Sequence, residues 1–262
     1  MTNLFHITCK SHLHAGSGDS NFGVIDKLVQ KDPADQIPCI YASSLKGALR
    51  EYWEEALQQQ SQAKIIFGDD SANKDKGAVI FHQAYLLSIP ARSNRFPYFN
   101  VTCPAQLQFL IEQNELLETS IDLSSLNIKS TIGKIKVFNI NTNNLKIEDF
   151  ETNNIEKVEN DAPDILKQLI GDRPAIVENE YFKQLCSDYS LPVIARNNLE
   201  NGQSKNLWYE QIIPRESRFF FAATETPGKS APEFFTHLEA ARKIQIGANA
   251  TIGYGQCLIS KI

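Results

Sequence analysis

The residues that raise a chemical question first stand in HAGSGDSNFGVIDKLVQKD (residues 14–32). His14 enters a run of glycine, serine and asparagine, and a lone carboxylate, Asp26, follows a short apolar pair. Glycines let backbone amides close on a phosphate, which would leave the acid beside it. The same residues also make an ordinary surface connection, the usual setting of a lone loop aspartate. Three of the five histidines, His6, His12 and His14, fall within the first fourteen residues, beside this loop.

Three other stretches have phosphate-facing chemistry. In GANATIGYG (residues 247–255) three glycines and Asn249 separate two extended segments. The backbone of Gly247, Ala248, Asn249 and Thr251 can approach an anion there, although taken alone the pattern is more often a hairpin loop with bulges. No Gly-Lys-Ser/Thr follows, as a P-loop needs, and no helix follows, as a dinucleotide turn needs. SSLKGALR (residues 43–50) opens a helix with Ser43 and Ser44 as N-cap candidates and Lys46 in the first turn. A cation there opposes the helix dipole, a conflict that an anion site would resolve. In LPVIARNNLENGQSKNLWYEQIIP (residues 191–214) two extended pieces flank an Asn201-Gly202 turn. Arg196, Asn197, Asn198 and Lys205 could follow a polynucleotide backbone, and Leu207, Trp208 and Tyr209 could wedge against bases. A hairpin packed on its own domain is the alternative.

These residues need a scaffold. LFHITCKSHLHAG alternates Phe5, Ile7 and Cys9 against His6, Thr8 and Lys10, a half-buried strand. Leu45, Leu49, Tyr52, Trp53 and Ala56 give residues 43–60 the spacing of an amphipathic helix. Residues 77–89 read as a strand, and residues 103–117 as a helix opened by Pro104. Short strands and two short helices fill residues 134–190. ESRFFFAATE is a strand and APEFFTHLEAARK a helix, before a closing strand–loop–strand. Strand–helix–strand at each end fits an α+β fold with a ferredoxin-like split βαβ core. Insertions are then expected near residues 15–42, 118–214 and the 247–255 loop.

Composition sets the outer limits. The 262 residues suit one elaborated domain, with 42% hydrophobic and 22% charged residues. The N-terminus lacks a signal-peptide plan and no apolar run is long enough to cross a bilayer, so a cytoplasmic protein is expected. Five scattered cysteines without a C-x-x-C pair suit reduced thiols. Net charge is −5, yet residues 141–190 alone hold −6, leaving the rest at +1. The acidic stretch can face away while another face meets phosphates.

Together, HAGSG…GVIDKLVQKD, YASSLKGALR, IFGDD…GAVIFHQAYLLSIPARS…FNVTCPAQL, LPVIARNN…LWYEQIIP and IGANATIGYG resemble the RAMP superfamily, in the family's order along nearly the whole chain. The VTCP and LPVIARN…LWYE pieces favour one subgroup, the repeating backbone (fourth) subunit of type III-B CRISPR Cmr effector complexes. The resemblance implies an RRM-like palm built from residues 1–117 and 215–262, insertions over 118–190 and a thumb hairpin over 191–214. It implies copies stacked head to tail along a guide RNA, contacts to other Cmr subunits, and a thumb that displaces a guide or target nucleotide at regular intervals. Asp26 matches the family's cleaving aspartate. Ser43, Ser44, Lys46 and Arg50, the hairpin's Arg196 and Asn197, and the loop's Gly247, Ala248, Asn249 and Thr251 are then expected on RNA. Ala42 and Ala248 stand where the family carries glycine, each adding a methyl where backbone meets phosphate.

The implied reaction is cleavage of target single-stranded RNA. The 2′-hydroxyl is a built-in nucleophile that stacked A-form geometry holds out of line, and a flipped nucleotide frees it. An ordinary aspartate, with a pKa of about 3.9, is a poor base. The expectation is therefore that Asp26 holds a Mg²⁺ or Mn²⁺ ion, with His14 as helper, leaving 2′,3′-cyclic phosphate ends. Alternatives are a guide-binding scaffold that does not cut, a single-subunit processor of precursor guide RNA, and a metabolic enzyme, for which no cofactor motif appears.

Overall fold

The computed structural model describes residues 1–19, 23–69, 75–200 and 202–262, with Asp19 and Leu199 described by backbone alone. Part of the opening loop (residues 20–22), Asp70 of the IFGDD stretch and Asn201 of the expected turn lie outside them.

An eleven-stranded sheet forms the body. Its path runs through Arg242–Gln245, Gln256–Lys261, Thr2–Cys9, Arg218–Glu225, Ala84–Ala91, Phe99–Thr102, Pro174–Ile176, Ile135–Phe138 and Ile155–Val158. Four of these neighbours carry both strand–helix–strand ends. Thr2–Cys9 lies between the last strand and Arg218–Glu225, which in turn pairs with Ala84–Ala91, all antiparallel. Residues 118–190 both lengthen the sheet, where Pro174–Ile176 pairs in parallel with Phe99–Thr102, and add a helix, Asp164–Ile170, to the layer on one of its faces.

One face of the sheet packs Phe5, Ile7, Phe219 and Phe221 against the helices Ala42–Glu51, Gln60–Phe67 and Pro232–His237. Trp53, 1% exposed, meets Phe67, Phe234 and the ring of His237. The other face packs Leu4, Leu87, Phe220 and Ala222 under the helices Pro104–Leu116 and Asp164–Ile170. The first strand is therefore buried on both faces, not one: His6 and Thr8, expected outside, lie beneath that second layer.

Several expected elements are interrupted. The α-helix ends at Glu51, a π-helical turn spans Tyr52–Ala56, and Gln58 takes φ +54° before the next helix begins at Gln60. Its N-cap is Tyr41, without a side-chain cap bond, in place of Ser43 or Ser44. Residues 77–89 split into Val79–Phe81 and Ala84–Ala91. The helix near the end covers only Pro232–His237, because Arg242 already begins a strand.

A second sheet of four strands runs in the order Val193–Glu200, Gln203–Gln211, Lys27–Val29 and Gly16–Asp19. Two strands from the opening stretch thus complete the 191–214 hairpin, and this sheet carries Asp26.

Candidate nucleic-acid interface

Asp26 is exposed and immediately precedes the strand Lys27–Val29. Its backbone N–H donates to the Tyr209 carbonyl at 3.1 Å. In return the Tyr209 N–H donates to Asp26 Oδ2 at 2.7 Å. Lys27 then pairs in parallel with Glu210. These bonds fix the carboxylate to the foot of the hairpin, 183 positions away in sequence. Among the described residues, no group of three or more His, Cys, Asp or Glu side chains could hold a metal ion. Asp26 contributes one carboxylate, a donor set that suits a Mg²⁺ ion completed by phosphate and water oxygens.

His14, expected as a helper for Asp26, has a different place. It is 4% exposed, and its Nδ1 lies 2.7 Å from the Gln211 carbonyl oxygen, a donor to it. Its own carbonyl accepts the Ala248 N–H at 2.9 Å. His14 therefore joins the hairpin's last strand to the glycine-rich loop from inside the protein, without an exposed ring to move a proton.

Strand alternation divides the hairpin. Arg196, Trp208 and Glu210 share one face; Asn197, Leu207 and Tyr209 share the other. Trp208, expected as a wedge, is half-buried between cations, with Lys27 Nζ 5.7 Å and the Arg196 guanidinium 5.8 Å from its ring centre. Leu207 and Tyr209 are 53% and 39% exposed, so they are the apolar surface available to a base. Asn197 is also exposed, its Oδ1 accepting from Ser204 Oγ.

Glu210 gathers the buried side of this arrangement. Its Oε1 accepts from Trp208 Nε1 at 2.8 Å and lies 3.8 Å from Lys27 Nζ. Its Oε2 accepts from Asn249 Nδ2 at 2.8 Å and lies 3.5 Å from an Arg196 nitrogen. Sequence reasoning missed Glu210, because an acid within WYEQ carries no sign that it will be buried.

The glycine-rich loop is pinned from beneath. Gly247, at φ +79°, passes so near the His14 carbonyl that a Cβ would sit 2.5 Å from its oxygen. The Gly255 N–H donates to the His12 carbonyl at 2.7 Å. Gly247, Ala248 and Thr251 face outward, while Asn249, left-handed at φ +66°, turns its side chain to Glu210.

At the helix start Ser43 is exposed, and Ser44 Oγ accepts from Gln30 Nε2 at 2.9 Å. Gln30, another residue sequence reasoning missed, also donates to the Gly16 carbonyl and accepts from the Tyr41 N–H. It ties the helix start to the strand pair that carries Asp26. Ser43 and Lys46 line a groove of about 580 Å³ with Lys76, Phe81 and Thr226. Arg50 lies further along the helix, its Nε donating to Glu54 at 2.8 Å. A separate cavity of about 610 Å³, lined by Tyr98, Tyr181, Tyr189 and Arg215 among others, does not include Asp26.

The chain is 28% identical to the Cmr endoribonuclease Cmr4 of the CRISPR system of Pyrococcus furiosus, over 92% of this chain and 89% of the relative. It is 25% identical to the CMR subunit Cmr4 of Saccharolobus solfataricus, over 96% and 93%. Its fold is shared by a chain in the cryo-EM structure of the type III-B Cmr-beta complex bound to cognate target RNA. The TM-score is 0.83 at 22% identity, covering 100% of this chain and 97% of that one. The crystal structure of oligomeric Cmr4 from P. furiosus gives 0.74 at 20% identity, covering 100% and 99%. The model of the RAMP superfamily matches residues 6–258, nearly the full length, and the chain belongs to that superfamily.

Proposed function

We propose that this chain is a repeating guide-RNA-binding subunit of a type III-B CRISPR effector complex, and that it cuts complementary single-stranded RNA at regular intervals through Asp26. The two Cmr4 relatives, matched over about nine-tenths of each chain, support the assembly. The body is a ferredoxin-like palm, a reading supported by the order of its four central strands, and the 191–214 hairpin is its thumb. Copies stack head to tail with other subunits of the complex, in the cytoplasm; none of the described helices is long and apolar enough to cross a membrane.

One observation carries the cutting role. The Asp26 carboxylate is bonded to the backbone of Tyr209, whose exposed ring is on the hairpin. A hairpin that parts a guide–target duplex brings Leu207 and Tyr209 against the gap and Asp26 to the adjoining phosphate. Guide–target pairing reads the sequence, while Ser43, Lys46, Asn197 and the 247–251 loop meet sugar and phosphate.

In the cut, the 2′-oxygen bonds to phosphorus and loses its proton to solvent. The P–O5′ bond breaks and the leaving oxygen takes up a proton, giving a 2′,3′-cyclic phosphate. Asp26 holds the linkage in line. A Mg²⁺ or Mn²⁺ ion bound by Asp26 and the phosphate would neutralise charge on the phosphate.

A second reading is a scaffold that binds guide RNA without cutting. Its support is that Asp26 Oδ2 already accepts the Tyr209 N–H, a structural bond that would be the carboxylate's whole role in this reading. Asp26→Ala in the assembled complex separates the two: target binding persists in either case, and cleavage disappears only if Asp26 cuts.

A further inference from the structure

Glu210 is 2% exposed and carries its charge inside the protein. Burial pushes its pKa up, but the hydrogen bonds from Trp208 and Asn249, with the Arg196 charge, leave it below the ordinary carboxylate range. A buried charge is a costly way to stabilise a fold, since an apolar side chain of similar volume does as well. What this one adds is connection. Its partners come from three places: Lys27 beside Asp26, Arg196 and Trp208 on the hairpin, and Asn249 on the glycine-rich loop.

We infer that Glu210 is a positioning residue that couples occupation of the glycine-rich loop to the placement of Asp26. A guide backbone seated on the loop fixes Asn249, and the Asn249 amide fixes the Glu210 carboxylate. The parallel pairing of Glu210 with Lys27 and the Lys27 contact to the same carboxylate then hold the strand that Asp26 opens. Guide binding and cutting are thereby joined through one buried side chain that touches neither the guide nor the reacting phosphate. The inference rests on the reading of Asp26 as the cutting group.

The test uses the assembled, guide-loaded complex. Glu210→Gln keeps the shape but presents an NH₂ donor where the carboxylate accepted from Trp208 or Asn249, and removes the charge facing Lys27 and Arg196. Asn249→Gly removes the link to the loop while keeping a residue at ease in the left-handed conformation. Guide content, melting temperature and target Kd are measured with the single-turnover cutting rate. Glu210→Gln is expected to keep its guide and to bind target within about twofold; Asn249→Gly, on the guide-binding loop, is compared at full guide loading; and each is expected to cut about 10–100-fold more slowly per guide-loaded complex, as when a supporting partner of a site is lost. The double variant is expected to be no slower than the slower single one, because both break one linkage. Cutting within about twofold of the parent, or multiplicative losses in the double variant, overturns the inference. Should Glu210→Gln fail to assemble, Asn249→Gly decides alone, because it leaves the buried ions in place. The parent complex and Asp26→Ala run alongside: if Asp26→Ala still cuts, the cutting role of Asp26 fails, whatever the Glu210 series shows.

Discussion

Asp26 and Tyr209 exchange two hydrogen bonds: the Tyr209 amide donates to the Asp26 carboxylate at 2.7 Å and the Asp26 amide to the Tyr209 carbonyl at 3.1 Å. The pair makes Asp26 and the hairpin one mechanical unit, so that a shift of either must move the other. In the proposed function, the place of the cut then follows the place where the hairpin enters.

Gly247 sets how close the glycine-rich loop lies to His14, in the segment that follows the first strand. A methyl at this position would sit 2.5 Å from the His14 carbonyl oxygen, in a left-handed backbone that L side chains rarely adopt. Gly247→Ala is expected to cost on the order of 1–3 kcal/mol. Urea melts of the isolated chain measure it. Ala248, whose N–H donates to the same carbonyl, should tolerate Gly without comparable loss.

His6 predicts a dependence of stability on pH. Burial, then the Arg218 charge, lowers its pKa from 6.5 to about 4. Above pH 6.5 both folded and unfolded chains hold it neutral and its contribution is complete. As pH falls from 6.5 towards 4 the unfolded chain binds a proton that the folded chain refuses, and stability declines. The loss amounts to roughly 3 kcal/mol across that window and stops below it. His12, His82 and His237 shift the same way. His6→Gln should therefore flatten the stability–pH curve without abolishing its slope. An unchanged curve would remove His6 from the explanation.

Lys46 stands in the first turns of a helix that has no acid in its first turn and lines a groove with Lys76. Lys46→Ala is expected to weaken guide binding for every guide sequence alike. The slope of log affinity against log salt should fall by about 1, as for one lost phosphate contact. A parallel salt line would mean that Lys46 does not touch the backbone.

The sequence made the chemistry-bearing stretches visible but hid what joins them. Pro104 opening a helix, the alternation of residues 2–9 and the hairpin at 191–214 all announce themselves locally. The burial of His6 does not, because the layer above it comes from residues 104–170, far along the chain. The break after Trp53 falls in LQQQSQ, a run whose helix propensity gives no warning of a residue at positive φ. The second sheet is still less legible: Lys27–Val29 is three residues long, too short for a period, and meets the hairpin through the pairing of Lys27 with Glu210. Local pattern shows which residues face inward. It does not show that His14 bonds to Gln211, or that Gln30 bridges Gly16 and Ser44, because those partners are fixed by topology.

The central claim is tested most directly by Asp26→Asn in the guide-loaded complex, offered one labelled complementary RNA. Asparagine keeps a carbonyl oxygen for the Tyr209 amide and loses only the charge, so the hairpin stays anchored. Target affinity and melting temperature should match the parent while the regularly spaced products vanish. A ladder of the parent's spacing and rate from the Asp26→Asn complex would contradict the account.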